Sequence, residues 1–180
     1  MYRTTDELDG IGVPTDLAPV RWRDSCANTE PSLHQLSPYI GKIKSRIAGE
    51  LVEQYSQQGD LVVDPFAGAG TVPLEAVLRG RRAFGSDISP YAGILSRAKL
   101  FPPPTLNDAL KLAEEALDKA ETLNKPDLRS VPQWVRRFFH PNTLRAALNF
   151  AQVARREGHD FLMAYSPGRA GGKVHPRQIP

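Results

Sequence analysis

The sequence predicts an α/β fold, a doubly wound sheet of parallel strands. Three observations carry this. The apolar runs "DLVVD" (60–64) and "RAFGSD" (82–87) are short enough for buried strands, and each ends in an acid. Each is followed by a helix signal, "TVPLEAVLRG" (71–80) and "SPYAGILSRAKL" (89–100). The links between them are short, and an alternating strand–helix–strand–helix order joined that way makes parallel strands with crossover helices.

Each element has its own local cause. Residues 1–33 lack periodicity and hold turn formers (Gly10, Gly12, Pro14, Pro19, Pro31), so they read as an irregular arm. Over 40–57, Ile43, Ile47, Leu51 and Tyr55 recur at helical spacing and Gly59 stops the run. Thr71 can cap the helix over 71–80, where Pro73 is tolerated in the first turn and Gly80 ends it. Ser89 is the N-cap of the next helix, with Pro90 at its first position. "FPPPT" is a rigid connector. Residues 106–123 predict a helix burying Leu106, Leu110, Ala113, Leu117 and Ala120, with Asp108, Lys111, Glu115 and Lys119 in water. "PQWVRRFF" (132–139) is a short helical or irregular piece, 141–158 a further helix, and "HDFLMA" the start of another apolar element.

Composition sets outer bounds. The chain has 180 residues, 41% hydrophobic and 24% charged, enough for one globular domain with its own core. A net charge of +3 and a pI near 9.1 permit an acidic partner without requiring one. Cys26 is the only cysteine, which excludes an internal disulfide and a multi-cysteine zinc site and fits a reducing cytoplasm. The first ten residues hold no apolar leader segment, and no stretch reaches transmembrane length, so no membrane partner is expected.

The chemistry concentrates in "VVDPFAGAGTVPLEA" (62–76). Gly68 and Gly70 lie between strand and helix, where glycine lets the backbone turn sharply and approach a ligand. The helix behind them offers free N–H groups. Asp64, at the strand's carboxyl end, repels phosphate and attracts an ammonium group or hydroxyls; no "GKS" or "GKT" follows the glycines. Asp87 ends the second strand, the position that holds ribose hydroxyls in doubly wound folds. An acid suited to an amine, a glycine turn and a ribose acid together describe S-adenosylmethionine. A lone G-x-G would be no more than a strand–turn–helix; four features in register are more specific.

The stretch "DPFAGAGTVPLEAVLRGRRAFGSDISPYAGILSRAKL" resembles the cofactor-binding region of the amino-methylating DNA methyltransferases, the N4-cytosine and N6-adenine enzymes, whose motif reads Asp-Pro-Phe-x-Gly-Ser-Gly-Thr. Ala69 replaces the usual Ser. Upstream, "LHQLSPYIGKIKSRIAGELVEQYS" resembles the segment beside that motif: Pro38, Tyr39, Gly41 and Lys42 match, while Ile40 and Ile43 stand for Pro and Phe. The resemblance covers about residues 33–100. It implies a Rossmann-like S-adenosylmethionine-dependent methyltransferase fold. It also implies that Asp64, Phe66, Gly68, Gly70 and Thr71 surround the methionine part, with Pro65 among the cofactor-binding residues. Asp87 then binds the ribose, Ile88 flanks the adenine, and Tyr39, Gly41 and Lys42 lie in the near wall.

The same family needs a target-base motif, an Asp, Ser or Asn followed by Pro-Pro and an aromatic. The polar group and a carbonyl orient the amine, and the ring stacks on the flipped base. Here "LSPY", "ISPY" and "DPFA" lack the second Pro, and "FPPPT" lacks the polar acceptor and the aromatic. Cys26 follows Ser25, not Pro, and reads as a simple thiol rather than a nucleophile. No catalytic or metal-ligating residue is assigned.

The resulting expectation is an incomplete domain: an arm over 1–33, a partial S-adenosylmethionine-binding domain over 34–164, and a disordered tail over 165–180. The tail reads as a truncated or frame-shifted C-terminus, with a phosphate-contacting basic tail as the alternative. The expected function is the cofactor-binding part of a site-specific DNA methyltransferase acting on N4 of cytosine or N6 of adenine. Its partners are DNA and a complementary chain carrying the catalytic half. An RNA methyltransferase fragment and a non-catalytic subunit that binds cofactor or partner are the rivals. Lone residues get plainer readings: His34 is structural or part of the cofactor wall, Trp22 and Trp134 are partial core, Arg136–Arg137 and Arg155–Arg156 lie on solvated helix faces, and Glu75 is at the surface or buttresses the loop.

Overall fold

The computed structural model describes residues 31–36 and 39–165, with the last of these described by its backbone alone. Most of the arm, the tail beyond 165 and Pro38 lie outside the described residues. A 3-10 turn at Ser32–Gln35 precedes α1 (Ser45–Tyr55), β1 (Leu61–Asp64), α2 (Thr71–Leu78), β2 (Arg82–Gly85), α3 (Pro90–Leu100) and α4 (Leu106–Thr122). A second 3-10 turn (Leu128–Ser130), α5 (Gln133–Arg136), α6 (Pro141–Arg156) and α7 (Asp160–Tyr165) follow.

The strands pair in parallel, with Leu61 beside Arg82 and Asp64 beside Gly85. That register brings both strand-end acids to one end of the sheet. β2 stops at Gly85, two residues short of the expected end, because Ser86 and Asp87 turn back to bond the glycine loop. Thr71 does not cap α2 as expected: it is the first helical residue, and the N-cap is Gly70, whose left-handed backbone carries no side chain. Two other caps behave as their residue types dictate. Ser89 accepts from the Ala92 N–H at the start of α3, and Thr105 with Asp108 closes a reciprocal capping box on α4.

Among the described residues the sheet has two strands and is covered on one face. A Cβ at Gly85 would lie 3.1 Å from Pro73 of α2, so Gly85, Ala83 and their partners Asp64 and Val62 face that helix. Leu61, Val63 and Phe84 point the other way and are 53%, 56% and 58% exposed. The doubly wound sheet expected from the sequence is therefore present as a single strand–helix–strand unit with an uncovered apolar face.

Two helical stripes differ from expectation in the same direction. In α4 the charged face lies in water as expected, but Leu106, Leu110 and Leu117 are 74%, 51% and 51% exposed. Ala116 and Ala120 are the buried contacts, packed on Val153 and Ala154 of α6. In α1 the buried residues are Ser45, Ala48, Gly49 and Val52, while Tyr55 stays exposed. The physical reason is close approach: small side chains let helices pack tightly, and at Gly49 a Cβ would collide with the Arg79 guanidinium. α3 joins α7 through Leu95, Ala98 and Ala164, a cluster that also takes in Ala69 of the glycine turn. The hinge of the candidate site is thus anchored in packed core.

Candidate functional site

The turn after β1 is built from backbone constraints. Gly68 and Gly70 have φ of +50° and +71°, in the left-handed region that disfavours side chains. Gly70 N–H donates to Ala67 O at 2.7 Å. A Cβ on Gly70 would sit 2.7–2.9 Å from Ser96 of α3, so this glycine lets α3 close on the turn. Asp87 reaches across from the end of β2: its two carboxylate oxygens accept from Gly68 N–H and Ser89 N–H, each at 2.8 Å. Those backbone donors hold its carboxyl below its ordinary value, so it is ionised at neutral pH. Asp64 accepts from Phe66 N–H at 3.0 Å.

The opposite wall comes from the segment before α1. The Tyr39 ring lies 3.4 Å from where a Gly68 Cβ would stand, so a side chain at 68 would press on it. Gly41 turns the chain with φ +84°, and Lys42 Nζ donates to the His34 carbonyl at 2.8 Å.

Between these walls is a cleft of about 360 Å³, within the roughly 300–1,000 Å³ of small-molecule sites. Tyr39, Gly41, Lys42, Asp64, Phe66, Gly68, Thr71 and Asp87 line it, so eight of the eleven residues expected from the sequence come together. Pro65, Gly70 and Ile88 do not line it; Ile88 projects into solvent and is fully exposed. Ile43, Ala67, Ala69 and Val72 complete the lining and were not expected there. Val72 follows Thr71 on the first turn of α2, a neighbour relation that was readable in advance.

The start of α2 has the free N–H groups expected from the sequence, together with one signal that only the structure reveals. Its N-cap is Gly70, which has no side chain to satisfy the first N–H groups. The Thr71 hydroxyl is buried and has no hydrogen-bond partner. An uncapped helix N-terminus and an orphaned donor in a cleft suit a carboxylate, while Asp64 across the turn suits an ammonium group.

Behind the cleft runs a buried charge chain. His34 Nε2 donates to Glu75 Oε1 at 2.6 Å, both residues being nearly sealed from solvent. The other Glu75 oxygen meets Arg79, whose Nε reaches Glu53 at 2.8 Å. Glu75 is therefore buried rather than at the surface and ties α2 to the Ser32–Gln35 turn, and His34 is structural. A larger hollow of about 470 Å³ lies beside α3, α4 and α7. Its walls are largely Phe101, Pro102, Pro103 and Leu112, and its charges Arg97 and Asp160 already pair at 2.7 Å. The smaller cleft has the orphaned Thr71 hydroxyl and both strand-end acids, and is the candidate site. Among the described residues no cluster of His, Cys, Asp and Glu could hold a metal ion, and no helix is long and apolar enough to cross a membrane.

A family comparison falls on this same segment. Residues 22–95 match the family described as DNA methylase. The chain is similar to the Type II methyltransferase M.MjaII of Methanocaldococcus jannaschii, 31% identical over 68 residues, or 38% of this chain and 13% of that protein. It is similar to M.BsoBI of Geobacillus stearothermophilus at 34% over 76 residues, covering 42% and 15%. It is also similar to M.MvaI of Kocuria varians at 27% over 121 residues, covering 59% and 27%. The chain thus spans about a quarter or less of the length of these relatives. No solved structure matches it significantly. The matched segment holds both strands, the glycine turn and the acid that ties them, and over that part of its length the chain is similar to DNA methylases.

Proposed function

We propose that the cleft binds S-adenosylmethionine, and that the chain is the cofactor-binding part of a DNA methyltransferase directed at an exocyclic amine, N4 of cytosine or N6 of adenine. The observation that carries this reading is the pairing, across one glycine turn, of a carboxylate with an uncapped helix start and its orphaned hydroxyl. An amino-acid zwitterion matches both ends: Asp64 for the ammonium, Thr71 and the first turn of α2 for the carboxylate. Asp87 remains competent for ribose hydroxyls, because each of its oxygens spends one lone pair on a backbone N–H and keeps another. Tyr39 and Phe66 supply apolar surface at the mouth.

The cofactor would supply an electrophilic methyl group. The residues present hold and orient: the rigid turn fixes the acid, and the packed Ala69 keeps the turn from yielding. No residue of the sequence is assigned the task of accepting hydrogen bonds from the target amine, so this chain contributes binding and orientation.

Calorimetric titration with S-adenosylmethionine and its demethylated product tests the reading. Binding by the parent, weakened in both Asp64→Asn and Thr71→Val, is expected. Equal affinity in all three refutes the placement. Asp87→Ala is a poorer probe, since it removes the clamp on Gly68 along with any ribose contact.

A further inference from the structure

We propose that α5 and the turn into α6 form a contact surface for an unpaired DNA strand, with Trp134 and Phe138 stacking on bases and Arg136 and Arg137 on the phosphates. Three observations support it. First, residues 128–156 carry six arginines and no Asp or Glu, whereas acids occur once in nine residues over the whole chain (20 in 180). Second, Trp134 and Phe138 are 60% and 69% exposed, which removes Trp134 from the partial core expected of it. Their rings stand edge to face, 6.4 Å between centroids and 80° apart, so the two exposed rings lie side by side as neighbouring stacking faces. Third, Arg136 and Arg137 are exposed and make no ion pair among the described residues, although Arg79, Arg97 and Arg129 each sit on a carboxylate.

Flat aromatic faces beside uncompensated guanidinium groups match the chemistry of an unpaired strand, whose bases expose π-faces at phosphate spacing. A duplex hides those faces, and an acidic protein surface offers the arginines a partner but gives the rings nothing to stack on. The family match favours DNA as the strand's source. The proposal shares with the proposed function only its nucleic-acid partner. Cofactor calorimetry tests the cleft by itself, so either reading can fail alone.

The test is fluorescence anisotropy of the 180-residue chain with a labelled thymidine oligonucleotide, the same strand in duplex, and a uridine oligonucleotide, each at several salt concentrations. Trp134→Ala and Phe138→Ala are each expected to weaken single-strand binding by about 5-fold or more, the low end of base-stacking losses. Arg136→Gln with Arg137→Gln should flatten the salt slope by about 1.4, at about 0.7 per strand phosphate. Arg155→Gln with Arg156→Gln is the charge-matched control and should change binding less. Circular dichroism melts confirm that the variants fold. Several outcomes overturn the proposal: unchanged binding in the aromatic variants, duplex binding as tight as single-strand binding, tighter binding of the uridine strand, or an equal loss in the control pair.

Discussion

Replacing Glu75 with Gln breaks the buried charge chain while keeping its shape. In the parent, the carboxylate is 3% exposed and accepts from His34 at 2.6 Å and from Arg79. Burial pushes its carboxyl up, but the His34 bond and the Arg79 charge together outweigh burial and hold it below its ordinary value near 4.5. Removing one partner of a buried pair costs about 3–5 kcal/mol. The amide oxygen still accepts one bond and Arg79 still has Glu53, so the expected loss is smaller, about 2–3 kcal/mol. Denaturant melts measure it, and a double-mutant cycle with His34→Ala should give a coupling above about 1 kcal/mol, because the two side chains touch. The pH dependence has a definite sign. A depressed carboxyl stabilises the fold above its unfolded value and loses that contribution as pH falls through the folded one. The parent's advantage over Glu75→Gln should therefore be full at pH 7 and shrink below about pH 4.5. A variant within about 0.5 kcal/mol of the parent, or a gap that does not narrow in acid, refutes the buried-chain account.

Gly70→Ala and Gly158→Ala share nearly the same backbone angle, φ +71° and +72°, but only the first meets another side chain. Both pay left-handed strain of about 1–2 kcal/mol; Gly70→Ala adds an overpacking cost of about 1–3 kcal/mol against Ser96. Thermal melts should show the larger loss at position 70, and equal losses count against the close approach of α3. Incubating the pure chain with radiolabelled S-adenosylmethionine and mixed DNA should leave no label in DNA above a blank, because the sequence holds no Pro-Pro-aromatic motif. Label in the DNA shows that other residues serve the target base.

The strands, the turn and the Ser89 cap were legible because their causes are local, whereas Thr71, read as a cap, is the first residue of α2 behind Gly70 and caps nothing. Gly68 and Ser89 act within a few residues of themselves, and an acid at each strand end is visible as soon as the strand is; the Thr105–Asp108 capping box was not read in advance. The convergence of Tyr39 on Gly68 followed from resemblance rather than periodicity, since 29 residues separate them. What stayed hidden was what depends on the partner face. The Ile–Ile–Leu–Tyr stripe of α1 looks like the buried one, but Ala48, Gly49 and Val52 win because α2 presents Glu75 and Arg79, which need room. The same holds for α4, whose leucines were read as core beside Ala113 and Ala120; of that set only Ala120 is buried, joined by Ala116. His34 could be placed near the wall but not paired with Glu75, 41 residues away. Nothing in either residue's neighbourhood announces the bond.

The uncovered side of the sheet bears on how the cleft is held. Parallel sheets are ordinarily covered on both faces, because their strands are apolar on both, and a two-stranded sheet is marginal by itself. Here Leu61, Val63 and Phe84 remain more than half exposed, as does Leu78 of α2, and Val77 is 45% exposed. Burying each of the three strand side chains fully is worth about 1.5–3 kcal/mol, and roughly half of that area is still in water, so about 3 kcal/mol of burial is unrealised on this face. The cleft sits at the carboxyl end of these same strands, and Asp64 and Asp87 inherit their positions from the β1–β2 register. Cleft geometry is therefore coupled to sheet order. The coupling is opposed locally by two devices, the Asp87 clamp on Gly68 and the packing of Ala69 against Leu95 and Ala98. Both act on the turn itself rather than through the open face, so the candidate site is fixed from the α2–α3 side of the molecule.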